Sequence, residues 1–389
     1  MAGRLDVDGD VIAFTYGRSY LERKEAIPLY LPELPLVPGT NYPEGREIAG
    51  CISDAGPDSW GRRVLENKVL GDPSKAGELG TLDYLLESGS DRIGALDFQH
   101  SSDDYFARTH DQATLEDLVE SAEKVENGLP LTPALDAALL QGSSVGGARP
   151  KALISLGERR MIAKFSSKTD TYAVVKGEYV AMELARRAGV RVANVELTNA
   201  LGKDVLLVER FDRIPGGQRR AMVSALTVLG LDEIAGRYAS YADLAEVIRK
   251  RFTDPVETLR ELFARITFNI LVGNTDDHAR NHAAFWDGEA LSLTPAFDVG
   301  PQRRSGGEAE QIMAIGADGT RWSQVAVCVK WARVYGIFSE SDAREIIDGQ
   351  IEVIRSEWLD VCELGKLTYV ERQSLWGVQF LNQYALQGY

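Results

Sequence analysis

Cysteine and histidine are scarce. The 389 residues hold three cysteines, Cys51, Cys328 and Cys362, and four histidines. The thiols are far apart and lack the paired spacing of a zinc site or a disulfide framework. They fit ordinary packing in a reducing compartment, so a cytoplasmic location is expected. No run of about 18 apolar residues occurs, so no membrane-spanning helix and no membrane partner is expected. Met1-Ala2-Gly3-Arg4-Leu5-Asp6 has no signal-peptide apolar core, and no secretion signal is expected. An excess of positive charge is also lacking. With 43 Lys and Arg against 58 Asp and Glu, the net charge is −15, which argues against general nucleic-acid binding. It leaves room for a local phosphate site and suits a basic partner. Fixed-period repeats and low-complexity tracts are absent. What remains is the composition of a globular protein, 44% apolar and 26% charged, long enough for two or three domains.

Residues 1 to about 100 read as strands with short helices. Segments 4–7 and 11–16 flank Asp8-Gly9-Asp10, a hairpin signal, and Pro28, Pro32, Pro35 and Pro38 then interrupt regular structure. Asp58-Ser59 predicts a helix to about residue 69, Thr81 a shorter one over 82–86, and 92–98 a closing strand. Thr114 and Asp117 resemble a capping box before Leu115, Leu118, Val119, Ala122 and Val125 at helical spacing. Thr132-Pro133 predicts a second helix to about residue 140. From Gly142 the texture changes. A Gly-rich segment, 142–151, precedes strands over 151–156 and 160–165, a helix over about 176–188, and strands over 195–199 and 205–211. The remainder reads as mainly helical. Ser240 and Asp243 open one helix and Asp254-Pro255 a long one. A hairpin turns at Asp287-Gly288, and helices follow at about 322–334, 339–356 and 365–385.

The chemistry concentrates in Asn274-Thr275-Asp276-Asp277-His278-Ala279-Arg280-Asn281 and in Phe297-Asp298-Val299-Gly300. An aspartate, an asparagine five positions on and a later Asp-x-Gly form the order used in phosphoryl transfer. One Asp accepts the proton of the attacked hydroxyl, while the Asn and the second Asp hold Mg²⁺. The alternative reading is a polar turn, because Asn, Asp and Gly are common turn residues. Lys164, an ionisable residue inside an apolar strand after a Gly-rich hairpin, sits where kinases place a phosphate-binding lysine. The alternative is a snorkelling edge lysine. Glu178 is the expected ion-pair partner of Lys164, with Glu183 the other candidate on the same helix; a solvated helix charge is the alternative for either and the more common fate of a single Glu. A zinc site from His278, His282 and Asp276 is disfavoured, because Ala279 stands where a metalloprotease helix carries Glu.

These pieces resemble the HipA family of bacterial toxin serine/threonine kinases. The matching residues are Gly147-Ala148-Arg149-Pro150-Lys151, Ile162-Ala163-Lys164, Val208-Glu209-Arg210-Phe211-Asp212-Arg213, Thr275–Asn281 and Leu293–Asp298, with 83–96 similar to the family's N-terminal subdomain. The resemblance implies an α+β, protein-kinase-like two-lobed fold. It would comprise an N-terminal β-rich subdomain (1–130), a small lobe with the Gly-rich loop (131–213) and a helical large lobe (214–389). It implies ATP and Mg²⁺ as cofactors and Asp276 as catalytic base, with Asn281 and Asp298 as metal ligands. Lys164, Lys151, Ser144, Val145, His278, Glu209 and Phe211 would be nucleotide-binding, the last two through their backbone. Ser144 would be the autophosphorylated serine whose modification ejects the loop. Family substrates include aminoacyl-tRNA synthetases, and the usual partner is a small helix-turn-helix antitoxin that alone brings the kinase to DNA. Two departures stand out: Asp277 and Arg280 occupy positions where the family pattern has Gly and Lys. Other readings are a small-molecule kinase of the aminoglycoside-phosphotransferase type, and a catalytically silent ATP-binding module.

Overall fold

The computed structural model describes residues 1–70, 79–108, 113–129, 131–132, 139, 149–167, 170–304 and 306–389. The expected helix after Pro133, apart from Leu139, lies outside the described residues, as does the Gly-rich loop up to Ala148 with Ser144 and Val145. Two compact units contain the chain. One comprises Met1–Ser167, Thr198–Val223 and Phe285–Glu289. The other comprises Lys168–Leu197, Ser224–Ala284 and Ala290–Tyr389.

The first unit is β-rich. Strand β1 (Gly3–Asp8) turns at Gly9, whose positive φ of 61° suits glycine, and pairs antiparallel with β2 (Val11–Tyr16). A short β3 (Thr40–Asn41) adds to β2. The second sheet has the order β4 (Lys151–Leu156), β5 (Arg159–Phe165), β7 (Lys203–Glu209), β6 (Val195–Ala200). Its inward residues Ala152, Met161, Ala163, Phe165, Val205 and Leu207 share one core with Trp60 and Val64 of helix Ser59–Leu70 and with Leu118, Val119, Ala122 and Val125 of helix Leu115–Glu126. Thr114 and Asp117 form the expected capping box on that second helix. The Trp60 indole N–H donates to the Lys151 carbonyl at 2.9 Å, which ties the early helix to the start of β4.

Segment 92–98 is not a strand, contrary to the sequence expectation. Arg92 is fully buried, and its guanidinium donates to the carbonyls of Ala55, Leu85 and Ser88 and to Asp97. Gly94 takes φ +73°. The left-handed Gly94 breaks an extended run, and side chains take backbone groups that a strand would pair: Arg210 donates to the Arg92 carbonyl, Arg213 to the Gly94 carbonyl, and Gly94 N–H donates to Asp212.

The second unit is mainly helical. Its central helix, Pro255–Leu271, begins at an Asp254 N-cap with Pro in the first turn, and Leu262, Phe263, Ile266, Ile270 and Leu271 are buried along it. It stops at Gly273, whose φ of +73° marks a left-handed helix terminus. A Cβ there would lie 2.8 Å from the Gln379 carbonyl, so the position admits only glycine. Ser240 caps Tyr241–Arg251 as expected. The late helices are Val325–Trp331, Glu340–Leu364 and Tyr369–Leu375. The last is far shorter than the expected 365–385. After it Trp376 packs on Trp358, as does Phe380, which requires the chain to fold back. No helix among the described residues is long and apolar enough to cross a membrane.

Candidate active site

The end of the central helix aims the chain into the Asp276 loop. Asp276 and Asp277 are adjacent and chemically alike, but burial separates them. Asp276 reaches solvent, while Asp277 is 2% exposed. The Asp277 carboxylate accepts from the Tyr241 hydroxyl (2.5 Å), the Asn269 amide (2.7 Å) and His282 Nε2 (3.0 Å). Burial alone would raise its pKa. The His282 ring and the hydrogen bonds from His282 and Tyr241 outweigh that and hold it below the usual carboxylate range. Asp277 is therefore an internal anchor, and Asp276 is the carboxylate presented outward.

Asp276 behaves oppositely. Surrounding protein atoms desolvate its carboxyl despite its access to solvent, and this is the main cause of a raised pKa. His278 opposes the shift, whereas the charges of Asp298 and Asp277 add to it. Asn281 donates its amide N–H to the Asp276 carbonyl at 3.2 Å, closing the loop and leaving the amide oxygen as an acceptor. Asn274, 1% exposed, donates to Asn269 Oδ1 (3.1 Å) and to the Asp298 carbonyl (3.4 Å). One polar chain thus runs from Tyr241 through Asp277, Asn269 and Asn274 to Asp298.

Asp298 itself has φ +59°, a left-handed conformation uncommon outside glycine and found where a structure enforces it. The enforcement is local. Arg265, paired with Glu261 at 2.8 Å, donates to the Thr294 carbonyl, and Ala296 exchanges backbone hydrogen bonds with Ala193 and Arg191. Glu178 is buried, and a Cβ on Gly300 would meet its Cβ and Cγ at 3.6 Å, so it packs beside the Asp298-x-Gly turn. Glu183 pairs with Arg186 and Arg187 on its own helix. Arg280 pairs with Glu233 at 2.9 Å. His278 is half-buried, and its Nδ1 has no protein hydrogen-bond partner.

The donor set fits Mg²⁺. Asn281 and Asp298 supply hard oxygens, and substrate phosphates complete such sites. The mutual crowding of Asp276 and Asp298 is the kind of like-charge strain that a divalent cation relieves. Among the described residues no group of three or more His, Cys, Asp or Glu is placed to hold a metal ion.

In the first unit, Lys151 stands directly opposite Lys164 in the β4–β5 ladder. Opposed like charges destabilise a sheet. Lys151, 2% exposed, is offset by Asp58 at 3.7 Å. Glu209 ends β7 opposite Met161, and Arg210 N–H still bonds the Arg160 carbonyl before the chain turns. The strand therefore stops two residues earlier than expected, and Phe211 lies in the turn, its ring edge-on to Phe285. Sequence reasoning gave no role to Tyr241, Asn269 or Asn274. The one local signal was Asn269, a polar residue in the mainly apolar last turns of the central helix.

Comparison with known proteins places the chain in a family and a fold. Residues 1–99 match the HipA N-terminal domain, and residues 143–358 match the HipA-like C-terminal domain. Y4mE of Sinorhizobium fredii, named as a candidate kinase, is 25% identical over 316 residues, 76% of this chain and 73% of that protein. The serine/threonine-protein kinase toxin HipA of Shewanella oneidensis is 26% identical over 183 residues, 40% of this chain and 42% of that protein. The solved complex of Shewanella oneidensis HipA with HipB and operator DNA matches with TM-score 0.69 at 20% identity, over 99% of this chain and 97% of that chain, which shows a shared fold. With a domain match spanning more than half its length and the fold in agreement, this chain belongs to the HipA family and has its protein-kinase-like α+β fold.

Proposed function

We propose that this protein is a Mg²⁺-ATP-dependent serine/threonine protein kinase of HipA toxin type, acting in the cytoplasm. Lys164, Lys151, Glu209 and Phe211 bind the nucleotide, with Ser144, Val145 and His278 contributing, and Glu178 orients Lys164. Asn281 and Asp298 hold Mg²⁺, which neutralises phosphate charge when bound. Asp276 takes the proton of the acceptor serine hydroxyl as its oxygen bonds to the γ-phosphorus and the bond from that phosphorus to the bridging oxygen breaks, so that ADP leaves with the electron pair. The observation that carries the reading is the split between the two neighbouring carboxylates. One is locked inside by three donors, and the other is presented outward beside a strained Asp298 to which the same polar chain connects.

The protein substrate belongs to the class that includes aminoacyl-tRNA synthetases. A small helix-turn-helix antitoxin is the expected partner and the route to DNA, an arrangement supported by the HipB and operator complex of the Shewanella relative. The test is intact-mass spectrometry after incubation with Mg²⁺-ATP, on the wild type and on Asp276→Ala. A phosphate mapped to Ser144 in the wild type and absent from the variant is the expected result. Turnover of the variant within about tenfold of wild type would overturn the base assignment, since loss of a general base costs about 10²–10⁴-fold. No phosphate on either protein would favour the small-molecule kinase or the silent module.

A further inference from the structure

The Val208–Arg213 stretch carries a buried ion cluster that the proposed chemistry does not use. Arg210 side-chain atoms are 1% exposed, and all five guanidinium N–H groups have acceptors. They donate to Asp212 Oδ1 (3.0 Å) and Oδ2 (2.8 Å), Asp91 Oδ1 (3.0 Å), and the carbonyls of Asp91 (3.3 Å) and Arg92 (2.6 Å). Arg213 donates to Asp91 Oδ1 (2.7 Å), Asp212 Oδ2 (2.9 Å) and the Gly94 carbonyl (3.0 Å). Gly94 N–H in turn donates to Asp212 Oδ2 at 2.8 Å. Two arginines and one aspartate of the turn after β7 are thus clamped by segment 91–94, over a hundred residues earlier.

The β5–β7 ladder ends at Glu209; beyond it the backbone is held by the Arg210–Arg160 bond, by Arg220 N–H donating to the Asp212 carbonyl (3.0 Å) and by pairing of Arg213–Ile214 with Gln218–Arg219. The side chains of Arg210 and Asp212, which flank Phe211, are what the cluster holds. Asp91 is the one acid in it supplied by the N-terminal region, and it is bonded by both arginines. We infer that Asp91 is a positioning residue for adenine recognition, setting through Arg210 and Arg213 the backbone of Glu209 and Phe211. This inference rests on the reading that those two residues bind the adenine. It gives the N-terminal region a function in nucleotide selectivity, through a clamp on the strand end that reads the base. Both guanidiniums converge on Asp91 Oδ1, so loss of this acid lets the turn shift without unfolding the sheet.

The experiment is calorimetric titration of the full chain with Mg²⁺-ADP, Mg²⁺-GDP and pyrophosphate, for the wild type, Asp91→Ala, Asp91→Asn and Asp91→Glu. The Asn variant keeps the shape of the side chain should the Ala variant fold poorly. The expected result is about a tenfold weaker ADP affinity in the Ala and Asn variants (about 1.4 kcal/mol), with GDP and pyrophosphate affinities unchanged and partial recovery in the Glu variant. A merely structural role would lower all three affinities together, and that outcome overturns the inference. Unchanged ADP affinity in a folded Asp91→Asn variant also overturns it, while leaving the proposed function intact. A wild type that binds no adenine nucleotide overturns both.

Discussion

Replacing Asp277 tests whether the loop is organised from inside. Its carboxylate receives three donors, and each donor is itself buried: Tyr241 at 0%, Asn269 at 4% and His282 at 3% exposure. Asp277→Ala leaves all three without their acceptor. Unsatisfied buried donors cost about 1–3 kcal/mol each. Relaxation keeps the total for the three at about 4 kcal/mol, which corresponds to a fall in Tm of about 8–16 °C for a unit of this size. Asp277→Asn keeps the volume and one acceptor oxygen but loses the charge, so about half that penalty is expected. The pH dependence has a definite sign. The folded-state pKa of Asp277 is depressed. Its contribution is therefore complete above the unfolded-state value, near pH 4, and is lost as pH falls through the lower folded value. The stability gap between wild type and Asp277→Asn should be full at pH 7 and shrink in acid. Thermal unfolding followed by circular dichroism across pH 3–7 measures this. A Tm within about 2 °C of wild type for Asp277→Ala at pH 7 would refute the three-donor anchor. Asp276→Ala, which removes an outward carboxylate, should leave Tm near wild type in the same assay.

Two further substitutions follow from the backbone. Asp298→Gly relieves a left-handed residue worth about 1 kcal/mol of strain, so Tm should hold or rise while Mg²⁺-dependent nucleotide binding disappears. Titration of ATP with and without Mg²⁺ checks it, and retained Mg²⁺ dependence would remove Asp298 from the metal site. Gly273→Ala forces a side chain into a left-handed position, about 1–2 kcal/mol, and drives its Cβ to 2.8 Å from the Gln379 carbonyl. Tm should fall by several degrees and transfer should drop with it, because Gly273 sets the entry to the Asp276 loop. An unchanged melt would show that the loop entry tolerates a shift.

Much of this protein is legible in the chain itself because its causes are local. The caps at Thr114, Ser240 and Asp254 and the hairpin at Gly9 each act within a few residues. Hydrogen bonds to neighbouring backbone groups and apolar periodicity fix such features before any tertiary contact forms. The segment 92–98 was misread for the complementary reason. Its apolar residues resemble a strand, but Arg92 finds its partners in Ala55, Leu85, Ser88 and Asp97, and only the folded chain brings Ala55 near. The end of the chain was overextended as helix because nothing near Trp376 reveals that Trp358 will receive it.

The sequence by itself determined the family and most of the order of elements, and it named the residues proposed here for phosphoryl transfer. Only the tertiary structure decided which of two adjacent aspartates faces outward, and which distant acid holds the turn at Arg210 and Arg213. Asp276 and Asp277 have the same pKa in an unfolded chain and nearly the same local spacing. What distinguishes them is burial against Tyr241, Asn269 and His282, and burial is a property of the packed chain rather than of the position in the sequence.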